Sequence, residues 1–337
     1  MYGWNQGQRR VEENKMKPKI ISVTPVTCNF KDFLSRKSTL SKRIPWAIRY
    51  TKYILEETKK YDLECWFVDT KLKAIKEITY AGIKCKFFPC FELITYRSFS
   101  SKLIDKLRKE VKNQKTIIQL FDYHDWLSYK ICREFKKVPI VAHLLGTANP
   151  LSLICRKPLL FLAFPLLIIE QLLERIVFKS VDYFFVTNNE KKYLHSFVNG
   201  RIDVTPFPID YSKIRCIEKK RARKALGLSM KKKMLLFIGR LDRLRDTKRL
   251  INTFEDIDGR LDLQMVVIGA SPKDSFYKKA KKAGVKLLPV LDHKETLIYH
   301  SAADAYITLG KKTIKYNTMG IAAQEALACN RPVISYN

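Results

Sequence analysis

Basic residues gather directly after one apolar run in the second half of the chain. The run Met234–Gly239 predicts a buried strand that ends in a tight turn, and Arg240, Arg245 and Lys248 follow it. A guanidinium at the carboxyl end of a strand can bind a diphosphate through two parallel hydrogen bonds. The sequence therefore predicts a phosphate site at Arg240, whereas most neighbouring basic residues are expected to form a solvated helix face.

A second group of candidate residues lies near the end of the chain. Gly320 and Ile321 open a predicted helix that contains Glu325 and precedes a further apolar run. A glycine at a helix entry leaves backbone N–H groups and the positive end of the helix dipole available to a phosphate. Glu325 is a charge among small apolar residues, so it needs a partner. We expect it to accept hydrogen bonds from both ribose hydroxyls of a nucleotide; a surface glutamate is the alternative.

Strands and helices alternate along the whole chain, which indicates βαβ units and parallel sheets. Strands are predicted at Ile20–Pro25, Leu63–Val68, Ile83–Phe88, Ile117–Phe121, Pro139–Leu145, Val181–Val186, Met234–Gly239, Leu263–Ile268, Val285–Leu288, Ala305–Leu309 and Pro332–Ser335. The pattern occurs twice, with prolines near residue 208 between the two halves. We predict an α/β protein with a polar, basic tail at 1–18 and two Rossmann-like, doubly wound domains at 19–207 and 208–337. Such domains would face each other across a cleft and bind ligands at the carboxyl ends of their strands.

Composition and charge restrict the class of protein. The 64 Lys and Arg residues against 33 Asp and Glu give a net charge of +31, so the expected partner carries phosphate, nucleic acid or anionic lipid. The chain contains no G-x-G and no P-loop, which disfavours nicotinamide dehydrogenases and P-loop NTPases. Its eight cysteines form no C-x-x-C pair and no zinc-type spacing, so we expect no metal site and unpaired thiols in a reducing cytoplasm. The N-terminus lacks the apolar stretch of a secretory signal.

One segment interrupts the alternation of strands and helices. Pro158–Ile169 is continuously apolar, is preceded by Arg156 and Lys157, and is followed by Glu170, Glu174, Arg175 and Lys179. It is too short to span a bilayer. A helix in a membrane interface fits this pattern, as does a buried helix kinked at Pro165. Because the overall charge is positive, we predict that residues 156–179 contact an anionic membrane surface. The protein would then lie in the cytoplasm, at the inner face of the membrane.

Several motifs of the second half occur in an order that resembles the second lobe of the family 4 retaining glycosyltransferases, which have the GT-B fold. They are Leu236–Leu241, Val266–Gly269, Ala303–Ile307 and Glu325–Ser335. The resemblance implies sugar transfer from a nucleotide-diphosphate donor, with retention of anomeric configuration and without a metal or other cofactor. By position, Arg240 and Arg245 match the family's diphosphate-binding Arg and Lys, and Glu325 matches its ribose ligand. The apolar segment favours a lipid-linked or polysaccharide-type acceptor.

The match to the family is incomplete at several positions. The first acid of the family's Glu-x7-Glu motif falls on Asn317, and the histidine expected after the fifth strand reads Leu145, with His143 two residues earlier. We assign Asn317 and His143 to the catalytic site, although His143 also fits a packed core position. His124 and Asp125 resemble the family's His-Asp turn and are further cleft candidates. The family continues beyond the last strand of this chain, so we expect an incomplete second domain.

Three other functions fit parts of the sequence. A non-catalytic GT-B-like subunit is consistent with Asn317 and Leu145, and a nucleotide-sugar 2-epimerase would bind the same donor. A nucleic-acid-binding protein would use the basic excess. The basic residues are scattered over both halves and are not interleaved with aromatic residues, which disfavours a dedicated nucleic-acid groove.

Overall fold

A computed structural model describes most of the chain. It covers residues 17–28, 30, 48, 60–80, 82–93, 97–121, 124–143, 164–186, 188–204, 209, 211, 214–242, 246–258, 262–308 and 320–335. The chain divides into two compact units, the first over residues 1–186 and 190–205 and the second over 187–189 and 206–337. Sequence analysis places the boundary at residue 208, close to this division.

The first unit is built on an eight-stranded sheet. The described strands of this unit, including two that lie outside the sheet, are β1 (Lys19–Thr27), β2 (Asp62–Asp69), β3 (Lys76–Tyr80), β4 (Ile83–Pro89), β5 (Phe91–Glu92), β6 (Ser98–Phe99), β7 (Thr116–Phe121), β8 (Ile140–His143), β9 (Tyr183–Val186) and β10 (Arg201–Val204). The sheet order is β10-β9-β8-β7-β1-β2-β4-β3, while β5 and β6 form a separate antiparallel pair. Only the β3–β4 pairing within the sheet is antiparallel.

Helices of the first unit cover the sheet and complete its core. They are α1 (Ser101–Asn113), α2 (Trp126–Glu134), α3 (Phe164–Val177) and α4 (Asn188–Leu194), with a 3-10 helix at Phe178–Ser180 after α3. Helix α1 begins at Ser101 because the Ser100 hydroxyl accepts a hydrogen bond from the Leu103 N–H. The buried face of α1 packs in a core with the central strands, where Trp66 and Phe88 are fully buried.

The second unit is a five-stranded, entirely parallel sheet in the order β13-β12-β11-β14-β15. Its strands are β11 (Lys233–Ile238), β12 (Leu263–Ile268), β13 (Lys286–Leu288), β14 (Ala305–Thr308) and β15 (Val333–Ser335). Its helices are α5 (Lys219–Ala225), α6 (Thr247–Asp258), α7 (Tyr277–Lys282), α8 (His293–Ala302) and α9 (Ile321–Ala328).

Both faces of this second sheet are buried. Leu236 and Val266 pack in one apolar cluster with residues of α5, α8 and α9. Their neighbours Phe237 and Val267 pack in another cluster with residues of α6 and α7. Successive side chains of a strand point to opposite faces, so these two clusters lie on the two sides of one sheet. The second unit is therefore doubly wound.

Each strand predicted from the sequence is present, and the structure adds β3, β5, β6 and β10. The expectation of unpaired thiols was wrong for one pair. Cys216 and Cys329 form a disulfide with a Cα–Cα distance of 5.5 Å, which joins the segment before α5 to the end of α9. Their separation of 113 residues hides this contact from any local sequence pattern. Five other described cysteines form no disulfide with a described residue: Cys28, Cys65, Cys85, Cys90 and Cys132.

Asp304, which directly precedes β14, connects β14 to β11 and α5 through its carboxylate. Its carboxylate accepts a hydrogen bond from the Met234 N–H at 2.7 Å and pairs with Lys219 Nζ at 2.9 Å and with the buried Arg223 guanidinium. Burial raises the pKa of Asp304, but the hydrogen bonds from Met234 and Lys219 and the charge of Arg223 outweigh it. The pKa therefore lies below its ordinary value of 3.8.

The substitution Asp304→Asn should lower the free energy of unfolding of the second unit by about 2 kcal/mol at neutral pH, because buried Arg223 loses its counter-charge. Urea denaturation measures this loss. A lowered folded-state pKa stabilises the protein above pH 3.8, and this stabilisation disappears as the pH falls below that value. The difference in the free energy of unfolding between wild type and Asp304→Asn should therefore decrease as the pH falls below 3.8. Asp262→Asn, at an exposed carboxylate paired with Lys232, is the matched control and should change little.

Candidate active site

The candidate site is built on the carboxyl edge of the second sheet, where three adjacent strand ends are tied together. The Gly239 N–H, just after β11, donates to the Ile268 carbonyl at 2.8 Å, and the Gly269 N–H, just after β12, donates to the Leu288 carbonyl at 3.0 Å. Gly239 and Gly269 have φ angles of 154° and 93°, which glycine adopts readily. The two turns are therefore in close contact and present their backbone at one edge.

Arg240 lies directly after this first turn. Its side chain is 71% exposed, and its guanidinium pairs with the Asp242 carboxylate at 3.4 Å. The backbone next to it is fixed, because Asp274 accepts hydrogen bonds from the Leu241 N–H at 3.1 Å and from the Ser271 N–H at 2.9 Å. A fixed backbone with a solvent-exposed guanidinium suits the binding of an anion at this edge.

Glu325 lies on α9, and its side chain is only 9% exposed. Its Oε1 atom is 2.8 Å from Nε2 of His293, and its Oε2 atom is 3.7 Å from Nε2 of the fully buried His300. Burial raises the pKa of this carboxyl, but the hydrogen bond to His293 and the charges of the two histidines outweigh it and lower the pKa to about 2. Glu325 is therefore an ionised, oriented acceptor at physiological pH.

His293 connects Glu325 to the same edge of the sheet as Arg240. It is the first residue of α8, which follows β13, and Asp292 and Glu295 form a capping box that fixes where this helix begins. Strand β13 is two positions from β11 in the sheet, a separation of about 10 Å. Glu325 therefore pairs with a residue at the start of α8, the helix that follows β13, while Arg240 follows β11, two strands away in the same sheet.

Other predicted donor-binding residues lie on helix starts of the same unit. Gly320 is the N-cap of α9, and no side chain caps this helix. A Cβ atom built at Gly320 would meet no atom of the described residues within 4 Å. Ile321 is the first, half-buried residue of α9, and Lys248 is exposed in the first turn of α6. As far as the described residues show, the N-terminus of α9 is accessible, and a helix N-terminus can bind an anion.

Several positions named from the sequence lie outside the residues that the structure describes. Arg245 falls in the gap before α6, Asn317 falls in the gap before α9, and Leu145 follows β8. Residues 156–163, which include the first half of the predicted apolar segment, also lie outside the described residues. The diphosphate role of Arg245 and the catalytic role of Asn317 stay predictions.

His143, in the first unit, is the last residue of β8 and is buried. Its ring stacks between Phe121 and Phe185 at centroid distances of 4.9 and 4.7 Å, and its Nε2 atom lies 2.8 Å from Nε2 of Gln119. Burial lowers the pKa of the imidazole to about 3, so the ring is neutral at physiological pH. This environment fits the packed core position, one of the two interpretations of His143, and its catalytic role stays a prediction.

His124 and Asp125 are also buried in the first unit. Asp125 is the N-cap of α2 and accepts hydrogen bonds from the Leu127 N–H at 2.8 Å and the Ser98 N–H at 3.0 Å. Complete burial outweighs these bonds and raises the pKa of Asp125 to about 8. His124 pairs through Nδ1 with the buried carboxylate of Glu174. Both side chains have structural partners within their own unit.

Sequence analysis did not identify His293 or Asp274. A signal for His293 was present, because Asp292-His293-Lys294-Glu295 has capping-box spacing and predicts a helix start directly after a strand. No comparable signal marks Asp274, whose carboxylate reaches back 33 residues to the Leu241 N–H. In the described part of the chain, no group of three or more His, Cys, Asp or Glu residues is arranged to hold a metal ion.

Comparison with known proteins agrees with this architecture. Residues 218–337 match the family model of the glycosyl transferases group 1. The D-inositol 3-phosphate glycosyltransferase of Mycobacterium tuberculosis is 26% identical over 247 residues, which cover 68% of this chain and 49% of that protein. The chain thus spans about half the length of the curated relatives it matches.

Solved structures show the same fold over both units. Sucrose-phosphate synthase from Thermosynechococcus elongatus matches with a TM-score of 0.63 and 16% identity, covering 94% of this chain and 81% of that one. An E. coli trehalose-6-phosphate structure with bound UDP-2-fluoro glucose matches with a TM-score of 0.57 and 14% identity, covering 94% and 83%.

The protein is thus an α/β protein of two Rossmann-like units with the GT-B fold. Its second unit is similar to the glycosyl transferases group 1, whose family model matches residues 218–337.

Proposed function

We propose that the protein is a retaining glycosyltransferase that uses a nucleotide-diphosphate sugar as donor. The observation that carries this proposal is the buried carboxylate of Glu325, which is ionised and pairs with His293 at the start of α8. A carboxylate of this kind is suited to accept hydrogen bonds from vicinal ribose hydroxyls. The family match of the second unit supports the same role.

Arg240 and the start of α9 supply the electrostatic part of the proposed reaction. Transfer breaks the bond between the anomeric carbon and the diphosphate, forms a bond from that carbon to an acceptor hydroxyl oxygen, and releases the hydroxyl proton. Negative charge develops on the departing diphosphate. A guanidinium and a helix N-terminus can stabilise that charge. We propose that they do so without a metal ion.

The proposed acceptor is a lipid-linked or polysaccharide-type glycan. This proposal is supported by exposed apolar side chains of helix α3 in the first unit, the unit that the resemblance assigns to the acceptor. The M. tuberculosis relative carries inositol 3-phosphate in its name.

Incubation with a panel of radiolabelled UDP- and GDP-sugars, with membrane lipid extracts as acceptor, tests the activity. We expect label to move into a lipid or glycan product whose new linkage keeps the anomeric configuration of the donor, as determined by NMR. A product with inverted configuration would contradict retention. Absence of transfer with every donor, although UDP or GDP binds in calorimetry, would contradict the enzyme assignment and favour a non-catalytic subunit. An epimerised sugar formed without acceptor would favour an epimerase.

A further inference from the structure

Helix α3 exposes its apolar side chains to solvent. Ile168, Ile169, Leu172, Leu173 and Ile176 all point outward, with Ile176 66% exposed. Their spacing of three and four residues places them along one face of the helix. We call these five residues the α3 apolar face.

The opposite side of α3 buries two carboxylates. Glu170 is 1% exposed and binds the Arg97 guanidinium and, at 2.7 Å, the Trp126 indole N–H. Glu174 is completely buried, accepts hydrogen bonds from the hydroxyls of Tyr129 and Tyr193, and pairs with His124.

In this respect α3 differs from a usual surface helix, which buries its apolar stripe and exposes its charges, although Leu167 and Val177 of α3 are buried beside the two carboxylates. Rotating α3 to bury the apolar face would break the pairs of Glu170 and Glu174 and leave buried charges without partners, at high energetic cost. The buried carboxylates therefore fix the orientation of α3 and keep the apolar face outward.

A basic cavity lies at the C-terminal end of this face. It has a volume of about 460 Å³ and is lined by Arg175, Ile176, Lys179, His195 and Phe197, together with neighbouring residues of the loop 196–199. The Arg175 guanidinium lies 5.8 Å from the centre of the Phe197 ring, a cation–π contact that helps to position it. Within the described residues, neither Arg175 nor Lys179 forms an ion pair with a carboxylate. Ile176 belongs to both the cavity and the apolar face.

We propose that the α3 apolar face lies in the interface of an anionic bilayer and that the cavity of Arg175, Lys179 and His195 binds the phosphate of a lipid headgroup. The guanidinium and ammonium groups provide the donors and charge that a phosphate requires. The apolar side chains directly beside the cavity provide the contact with acyl chains. No helix among the described residues is long and apolar enough to cross a membrane, so the proposed contact is one with the surface.

Charge favours a membrane over a second copy of the chain as the occupant of this face. The net charge is +31, and a symmetric pairing through α3 would bring two basic cavities into one interface. Like charges in such an interface cost affinity. An anionic lipid surface satisfies both the apolar and the basic part of the patch. The inference stands independently of the proposed glycosyltransferase activity.

Sedimentation with vesicles tests the proposal on the full chain. Vesicles of phosphatidylcholine with phosphatidylglycerol should bind the protein, and vesicles of phosphatidylcholine alone should bind it much more weakly. The double substitution Arg175→Gln and Lys179→Gln should weaken binding to the anionic vesicles about 30-fold, since each basic residue near such a surface contributes about 1 kcal/mol. Leu172→Ser with Ile176→Ser should weaken it on the order of tenfold.

Matched controls separate this site from the general basic charge of the chain. Lys220→Gln with Lys224→Gln removes the same charge from the exposed face of α5, and Val290→Ser with Ile334→Ser removes exposed apolar side chains from the second unit. Both pairs should bind anionic vesicles within about twofold of wild type. Circular dichroism checks that every variant is folded.

Equal loss of binding in the α5 control and the Arg175 variant would overturn the site, because binding would then follow net charge alone. Failure of wild type to bind anionic vesicles would also overturn it. A concentration-dependent dimer that Leu172→Ser with Ile176→Ser abolishes would identify a second copy as the occupant and contradict the membrane proposal. Soluble glycerol phosphate, which lacks acyl chains, should compete only weakly; full competition would show a free phosphate site instead.

Discussion

Replacing Glu325 with glutamine should weaken the binding of UDP and GDP by about 100-fold or more. Glutamine keeps the shape of the side chain but removes the negative charge, and hydrogen bonds to a charged acceptor contribute about 1.5–3 kcal/mol each. The wild-type carboxylate is held by His293 at 2.8 Å and is ionised at physiological pH. Isothermal titration calorimetry with both nucleotides measures the loss. Uridine and guanosine should lose affinity by a similar factor, because the ribose is common to nucleoside and nucleotide.

The matched control is Glu255→Gln, which removes an exposed carboxylate from α6 of the same unit. It should leave nucleotide affinity unchanged within about twofold, because exposed ion pairs contribute little. Thermal unfolding shows whether Glu325→Gln is folded before its affinity is compared. A folded Glu325→Gln protein that binds UDP or GDP as tightly as wild type does would contradict the assignment of the ribose site.

The substitution Arg240→Ala should weaken UDP and GDP binding by roughly 50-fold and leave uridine and guanosine binding nearly unchanged. A charge-assisted, two-pronged contact to a diphosphate is among the stronger hydrogen-bonding interactions. The Arg240 side chain is largely exposed, and among the described residues its ion pair is a long one, with Asp242 at 3.4 Å. The guanidinium therefore gives up only a weak ion pair when it binds a phosphate. For the same reason, Arg240→Ala should not destabilise the fold.

Arg221→Ala is the control for Arg240, because Arg221 is an exposed arginine on α5 of the same unit. It should not affect nucleotide binding beyond a small change that salt screens. The affinities of Glu325→Gln and Arg240→Ala for nucleosides and for nucleotides can then be compared. Glu325→Gln should affect nucleosides and nucleotides alike, whereas Arg240→Ala should affect only ligands that carry phosphate. Loss of nucleoside binding in Arg240→Ala would show that the guanidinium contacts the nucleoside part of the donor and would contradict its assignment to the diphosphate.

The sequence predicts the sheets well where strands are central and buried. Strands β11 and β12 are apolar except for Lys233 and Gln264, and their observed bounds differ from the prediction by at most one residue. Strands β3 and β10 were missed because both are edge strands whose residues are mostly exposed. An edge strand has no uninterrupted apolar run to reveal it.

Helix α3 shows a different limit of sequence analysis. The sequence locates an apolar segment and leaves two interpretations, an interfacial helix and a buried one. The orientation follows from Arg97 and His124, which pair with Glu170 and Glu174 across 73 and 50 residues. Local periodicity contains no information about partners so distant in the chain.

The candidate site was predicted in part for a similar reason. Glu325 was identified because a carboxylate within a helix of small apolar residues needs a partner, and the structure provides that partner in His293, 32 residues away. Arg240 was identified from its place at the end of a strand. The two histidines beside Glu325 were not identified, since their role depends on how α8 and α9 pack together.

A crystal structure of the protein with bound UDP or GDP tests the central claim most directly. The account predicts that the Arg240 guanidinium lies within hydrogen-bonding distance, about 3 Å, of the diphosphate oxygens. It also predicts that both ribose hydroxyls lie within the same distance of the Glu325 carboxylate. A nucleotide that binds away from the carboxyl edge of the second sheet, or that leaves either side chain without contact, would contradict the account.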